Sequence, residues 1–201
     1  ITLRQNETSD VVVIGGGVVG LSIAYRLAKD GLTVTVIERG ECGKEASWAG
    51  AGVLQCGSWH RHDTLVYLLR ESLRQYDTFA PELKERTGID PEFIHCGAFE
   101  LLFEDQQYRM AASEVKAAEE HRAAYGRPIL ELLPPEEAHR REPNIAAELL
   151  GVKFNSVSCQ IRNPLLMAAL KAACLLEKVR IVEHCAVREV TRSGDKVTGV
   201  K

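Results

Sequence analysis

No apolar run in the 201 residues reaches the roughly 20 needed to cross a bilayer, so stable membrane insertion is not expected. The polar opening from Ile1 to Ser9 carries no signal-peptide pattern. The sequence also lacks an initiator Met, so its start is read as processed, trimmed or cloned. No two of the six cysteines (Cys42, Cys56, Cys96, Cys159, Cys174, Cys185) form a C-x-x-C pair. Without a secretion signal they read as free cytosolic thiols, and the expected location is cytoplasmic. Charge of one sign is not in excess: a net charge of −3 favours neither nucleic acid nor an anionic membrane as a partner. Zinc-type spacing is missing too. Cys56, His60, His62 and Asp63 are the only cluster of ligand-type side chains, their spacing fits no common zinc pattern, and they read as a polar loop with no metal. No repeat and no low-complexity linker divides the chain.

What is present starts at once. Asp10-Val-Val-Val-Ile14 is a run of β-branched residues that stops at a glycine cluster, with Gly15, Gly17 and Gly20 in G-x-G-x-x-G register. Val18, Val19, Leu21, Ile23, Ala24, Leu27 and Ala28 then open a helical pattern. Strand, tight turn and helix N-terminus in this order bind the pyrophosphate of a dinucleotide. Gly15 permits the turn, Gly17 lets the backbone approach the phosphates, and Gly20 lets the helix lie close to the strand. Unpaired N–H groups and the positive end of the helix dipole face the anion. A second strand, Thr33 to Ile37, ends in Glu38, which lies 18 residues past Gly20; the acid that binds a ribose diol stands roughly 20 residues on. A carboxylate here repels a 2′-phosphate, which argues against NADP.

The cofactor could still be NAD or FAD. Small residues crowd Ala46 to Gly52, broken by Trp48. Such a run lets main chain approach a flat ring, which an NAD enzyme does not need after its second strand and an FAD enzyme does. Asp10 to Glu38, followed by Ala46-Ser-Trp-Ala-Gly-Ala-Gly52, resembles the flavin amine oxidases of the D-amino-acid oxidase type, and within them the glycine oxidases of thiamine biosynthesis. The resemblance continues at the helix start Cys159-Gln-Ile-Arg-Asn-Pro-Leu-Leu-Met and ends with Val187-Arg-Glu-Val190 and Thr198-Gly-Val200. It is dense at the N-terminus and thin from about Pro81 to Gly151.

The resemblance implies an FAD held by Gly15, Gly17, Val18, Val19 and Gly20 at its pyrophosphate. It places Glu38 at the adenosine ribose with Arg39 beside it, and Ala46 and Ser47 along the diphosphate and ribityl arm. Ala51, Gly52 and Val53 would edge the flavin ring, and Val187 would pair with the adenine through its backbone. Val53 replaces a residue often Met in the family. The implied fold is α/β: a Rossmann-like FAD-binding domain with a parallel central sheet, plus part of an antiparallel-sheet α+β substrate domain. Residues 1–87 and 157–201 would form the discontinuous cofactor domain, with 88–156 an inserted, partial substrate layer. The family continues beyond this length, so residues 1–201 resemble an N-terminal half and alone are expected to bind FAD poorly and show no turnover.

Elsewhere, Leu65, Leu68, Leu69, Leu73, Tyr76 and Phe79 predict a helix with a core-facing stripe that ends before Pro81. Gly97 to Phe103 predicts a strand with Phe99, Leu101 and Phe103 on one face. Gln106 to Tyr125 predicts a helix closed by Gly126, and Leu132 to Glu137 a turn into a short helix that Pro143 stops. Leu149 to Ser156 reads as a half-buried strand. Pro164 suits the first turn of a helix to about Glu177, and Val179 to Val182 and Lys196 to Lys201 read as strands.

The implied reaction is oxidative deamination of a small amine or amino acid (glycine, sarcosine or a small D-amino acid) to an imine and then an α-keto acid, with O2 reduced to H2O2. An FAD dehydrogenase passing electrons to a quinone, an NAD dehydrogenase, and a nucleotide-binding module without catalysis are the alternatives. Substrate fixing needs an Arg fork on the carboxylate. No arginine here is marked for it: Arg162 reads as a surface or capping residue, and no catalytic residue is assigned. The family suggests a homo-oligomer.

Overall fold

The computed structural model describes residues 8–59, 64–122 and 126–201. In chain order the first elements are β1 (Val11–Ile14), α1 (Val18–Lys29), β2 (Val34–Ile37), α2 (Ala46–Ala49), β3 (Val53–Leu54), α3 (Thr64–Thr87), β4 (Ala98–Leu102) and α4 (Asp105–Glu119). Then follow β5 (Leu130–Leu133), α5 (Pro135–Arg141), β6 (Gly151–Asn155), β7 (Cys159–Gln160), α6 (Asn163–Leu176), β8 (Arg180–Val182), β9 (Val190–Ser193) and β10 (Lys196–Val200). Contacts divide them into two units. The first takes the residues up to Gly52, Thr78–Glu92 and Arg162–Lys201; the second takes Val53–Asp77 and Phe93–Ile161. Residues 53–77 therefore pack with the second unit.

The first unit holds a parallel sheet in the order β1-β2-β8, with Val11 beside Val34 and Thr35 beside Arg180. β2 is central and buried at every position, as a parallel strand with both faces covered must be. Leu21, Ala24 and Tyr25 of α1 and Leu166, Met167, Ala169, Leu170, Ala173 and Cys174 of α6 are buried in the same unit. The α1 positions fall at helical spacing on one stripe. An antiparallel ribbon of β9 and β10 also belongs to this unit.

In the second unit, β4-β6-β5 form an antiparallel sheet with Phe99 opposite Phe154 and Leu133 opposite Val152. These residues share a face with Leu101 and pack with Ala138 of α5. Leu130 lies on the other face and packs with Ala118 of α4, Trp59, Ile129 and Val157. Lys153, on that second face, bridges Glu100 at 2.7 Å and Glu114 of α4 at 2.5 Å. A parallel sheet and an antiparallel sheet in one chain bear out the expected fold class.

Several expectations need correction. The α3 helix does not stop before Pro81 but runs through it to Thr87. A proline inside a helix removes the bond to the carbonyl four residues back, here that of Asp77; burial of Ala80 and Leu83 holds the helix across this gap. Leu65, Leu68 and Leu69 are exposed, and the buried positions are Val66, Ala80 and Leu83. Phe103 lies past the end of β4 and is half exposed, while Leu102 on the opposite face is only 1% exposed because α4 covers that face too. The α4 helix ends at Glu119, and Ala123 to Tyr125 fall outside the described residues. The strands β3, β5, β7 and β9 were not anticipated: two are only two residues long, and β5 runs straight into Pro134. His60, His62 and Asp63 of the polar loop also lie outside the described residues. Cys56 is fully buried in the core beside Trp59.

Candidate functional site

In an open parallel sheet, ligands bind beyond the carboxyl ends of the strands. At that end β1 delivers Gly15, β2 delivers Glu38, and β8 leads into residues 183–187. Gly15 holds φ +104, a conformation that side chains resist. Its amide still donates to Ile37 (2.9 Å), so the turn leaves the sheet only after Gly15. A Cβ on Gly20 would lie 2.0 Å from the Gly15 carbonyl oxygen and 3.3 Å from Val13. The helix start thus presses backbone to backbone on the end of β1, and only glycine fits there. Gly17 caps α1 with no side-chain partner, and no acid stands in the first turn. The first-turn amides of a helix have no partner within it; Val18 gives its own to Ser47 Oγ at 3.0 Å. Val19 beside it is 68% exposed.

Glu38 is 8% exposed, and its two oxygens are shared between the turn and its own loop. Oε2 accepts the Gly16 amide at 2.7 Å and Oε1 the Gly40 amide at 2.8 Å. Burial by itself would raise this carboxyl. The Gly40 and Gly16 amides and the Arg39 charge outweigh it and hold Glu38 below the usual carboxylate range. Each oxygen keeps a second lone pair for a further donor.

A second layer supports the turn from below. Gly43 donates to the Gly16 carbonyl at 2.8 Å. The Cys42 amide donates to Glu183 Oε1 at 2.7 Å, and Lys171 of α6 neutralises that carboxylate at 2.7 Å. Burial, followed by the Glu183 charge, pushes the Cys42 thiol up to about 12, so it is inert packing under the glycines. Gly16, Gly40, Cys42, Glu183 and Lys171 were not singled out in the sequence. The Cys42–Glu183 contact spans 141 residues, and no local spacing signals it.

The remaining predicted positions fall as follows. Arg39 is exposed and 3.6 Å from Glu45. Ala46 and Ser47 lie in the single turn of α2, with Ser47 brought to the helix start of α1 and Ala46 in solvent. Ala51 is exposed and Gly52 half-buried in the first unit; Val53, 58% exposed, opens β3 of the second. Val187 is half-buried in the segment whose His184 and Cys185 amides donate to the Gly40 and Glu38 carbonyls, both at 2.9 Å. That segment therefore runs beside the loop after β2. Arg162 pairs with Glu92 at 3.3 Å and stands at the cap of α6. A cleft of about 410 Å³ in this unit opens at the other ends of the strands, by Ser9, Thr33 and Arg180, where a helix presents its negative end.

The parts fit a dinucleotide. The glycine turn has a tight helix-to-strand contact that any Cβ at position 20 would break, with open space beside Gly15, the helix start carries no competing acid, and a buried, ionised carboxylate stands at the end of the neighbouring strand. Among the described residues no group of three His, Cys, Asp or Glu side chains could hold a metal ion, and no described helix is long and apolar enough to cross a membrane.

Comparison with known proteins agrees with this reading. Glycine oxidase of Pseudomonas aeruginosa is 35% identical over 192 residues, covering 94% of this chain and 50% of that protein. The crystal structure of glycine oxidase from Geobacillus kaustophilus superposes with a TM-score of 0.82 at 30% identity, covering 91% of this chain and 48% of that one. The crystal structure of L-proline dehydrogenase from P. horikoshii gives 0.76 at 25% identity, with 97% and 49% covered. The chain spans about half the length of the curated relatives it matches. Residues 10–201 match the model of the FAD dependent oxidoreductase family known as DAO, and the chain belongs to that family.

Proposed function

We propose that this chain forms the cofactor-binding part, and a share of the substrate-side layer, of an FAD-dependent oxidase of small amines or amino acids such as glycine, sarcosine or a small D-amino acid. The observation that carries the reading is Glu38, a buried carboxylate tied by hydrogen bonds to the glycine turn and to its own loop. It joins a phosphate cradle and a diol acceptor in one unit.

The turn from Gly15 to Gly20, with Val18 and Val19, holds the pyrophosphate of FAD against the positive end of α1. The free lone pairs of Glu38 accept the ribose hydroxyls, and Arg39 stands at the rim. Ala46 and Ser47 follow the diphosphate toward the ribityl arm. Ala51, Gly52 and Val53 edge the flavin ring, and Val187 offers its backbone to the adenine. Bound FAD would supply the two-electron acceptor that turns the amine into an imine, which water releases as an α-keto acid and ammonia, or methylamine where sarcosine is the substrate. The protein's share is to fix the amine over the ring and exclude competing reactions. No residue of this chain is assigned to catalysis. O2 as final acceptor with H2O2 as product, a cytoplasmic location and a homo-oligomeric assembly complete the proposal. Likeness to a structure of an L-proline dehydrogenase favours, as second reading, a dehydrogenase; a quinone is then our choice of electron acceptor.

The test is made on the intact protein. A flavin chromophore released on denaturation is expected, with peroxide formed from glycine, sarcosine or D-alanine in air and no other acceptor. Flavin reduction by the amine without peroxide, relieved by an added quinone, would select the dehydrogenase. A colourless protein that binds no FAD would overturn both.

A further inference from the structure

The second unit contains a side-chain relay that the proposed oxidase chemistry does not use. Asp77 Oδ1 lies 2.6 Å from His95 Nε2, and His95 Nδ1 lies 3.2 Å from Cys159 Sγ. A carboxylate at Nε2 fixes the proton on that nitrogen, which leaves Nδ1 as an acceptor facing the thiol. The ring is held edge-on by Phe93, centroids 5.1 Å apart, and Phe93 is stacked on Tyr76 at 5.7 Å. The thiol's other contact, the Val157 carbonyl at 3.4 Å, is longer. Cys159 is 2% exposed, yet it lines a cavity of about 500 Å³ with His95, Asp77, Arg74 and Arg127. Arg74 donates to Glu71 and Arg127 to the Ser156 carbonyl. Both guanidinium groups line the cavity and bring positive charge to it.

We propose that Cys159 is a modification site: a thiol served by His95 as base, with Asp77 positioning the imidazole, that exchanges with small disulfides bearing carboxylates. The S–H proton passes to His95 Nδ1 as Sγ attacks one sulfur of the incoming disulfide. A new S–S bond forms, the old one breaks, and the leaving thiolate takes the proton from His95. Cys159 ends as a mixed disulfide and the other half of the reagent leaves as a free thiol, so atoms and electrons balance. Burial, and after it the Asp77 charge, pushes the thiol up to about 11, so free thiolate is scarce at neutral pH and a base in contact is required. The arginines select for the anionic reagent, and the cavity's size admits only a small one.

Ellman's reagent, a dianionic aryl disulfide, and cystamine, a dicationic one, are applied to the intact protein, and labelling is located by peptide mass mapping. Cys159 is expected to react, and its rate ratio of Ellman's reagent to cystamine should exceed that of the exposed Cys96 by at least about 10-fold, since the intrinsic reactivity of the two reagents cancels in that comparison. His95→Gln should slow Cys159 labelling by about 100-fold, the low end for loss of a general base, and Asp77→Asn by less. The exposed Cys96 gives the reference for intrinsic reactivity, and the fully buried Cys56 of the same unit should stay unlabelled in both variants, which reports that they fold. Three results would overturn the proposal: Cys159 unlabelled while Cys96 is fully labelled, equal rates in wild type and both variants, or the same reagent ratio at Cys159 as at Cys96.

Discussion

Glu38 is where local sequence and tertiary placement meet. Because its carboxyl is depressed in the folded protein, its contribution to stability is complete above its unfolded value near 4.5 and is lost as pH falls through the folded value. Urea unfolding of the intact protein should therefore show an acid-side loss that Glu38→Gln flattens. At pH 7 the same variant should be less stable by about 1–3 kcal/mol, because one backbone amide then faces an NH2 group. Gly20 makes the complementary test. A Cβ 2.0 Å from the Gly15 carbonyl cannot be absorbed by a flexible side chain. Gly20→Ala should cost about 3 kcal/mol, the upper part of the range for overpacking, and should lower bound flavin, read from thermal unfolding and from absorbance of the purified protein.

Between elements, the sheet of the second unit depends on a charge cluster as well as on apolar contacts. Lys153 of β6 is 13% exposed and Glu114 of α4 18%, whereas Glu100 is largely in solvent. Burial would lower the Lys153 ammonium, but Glu100 and Glu114 raise it. Lys153→Met should leave Glu114 buried without its counter-charge, held only by Ser58 and the Trp59 amide, at a cost of about 3 kcal/mol; adding Glu114→Gln should recover part of that, which a double-mutant cycle by thermal or urea unfolding measures. The α3 helix shows how far periodicity reaches. Its helical character was legible from Leu65 to Phe79, but its length and buried face were not. Leu65, Leu68 and Leu69 repeat at the right spacing yet lie in solvent, while Ala80 and Leu83, beyond a proline, are buried. A hydrophobic pattern states that one face prefers burial; only the neighbours present decide which residues obtain it.

At the scale of the whole molecule, a parallel sheet carries the glycine turn and an antiparallel sheet follows from a different part of the chain. Contacts place residues 53–77 with the second sheet. FAD should raise the unfolding temperature of the intact protein, and the rise should continue with the logarithm of its concentration beyond saturation, as for any ligand of the native state. NADP should have no effect, since Glu38 opposes a 2′-phosphate. A shift with NADP equal to that with FAD would remove the ribose role of Glu38.

The amino-acid sequence by itself determined the strand, the glycine turn, the first helix and the acid closing the second strand. Each is set by residues within a few positions of one another, where β-branching, missing side chains and helical spacing act through local sterics. Only the tertiary structure decided that Glu38 ties down Gly16, that Glu183 braces Cys42 from 141 residues away, and that Asp77, His95 and Cys159 stand in line. Those partners are joined by hydrogen bonds between distant segments, and no short-range rule of chain geometry encodes which of several equivalent side chains will meet.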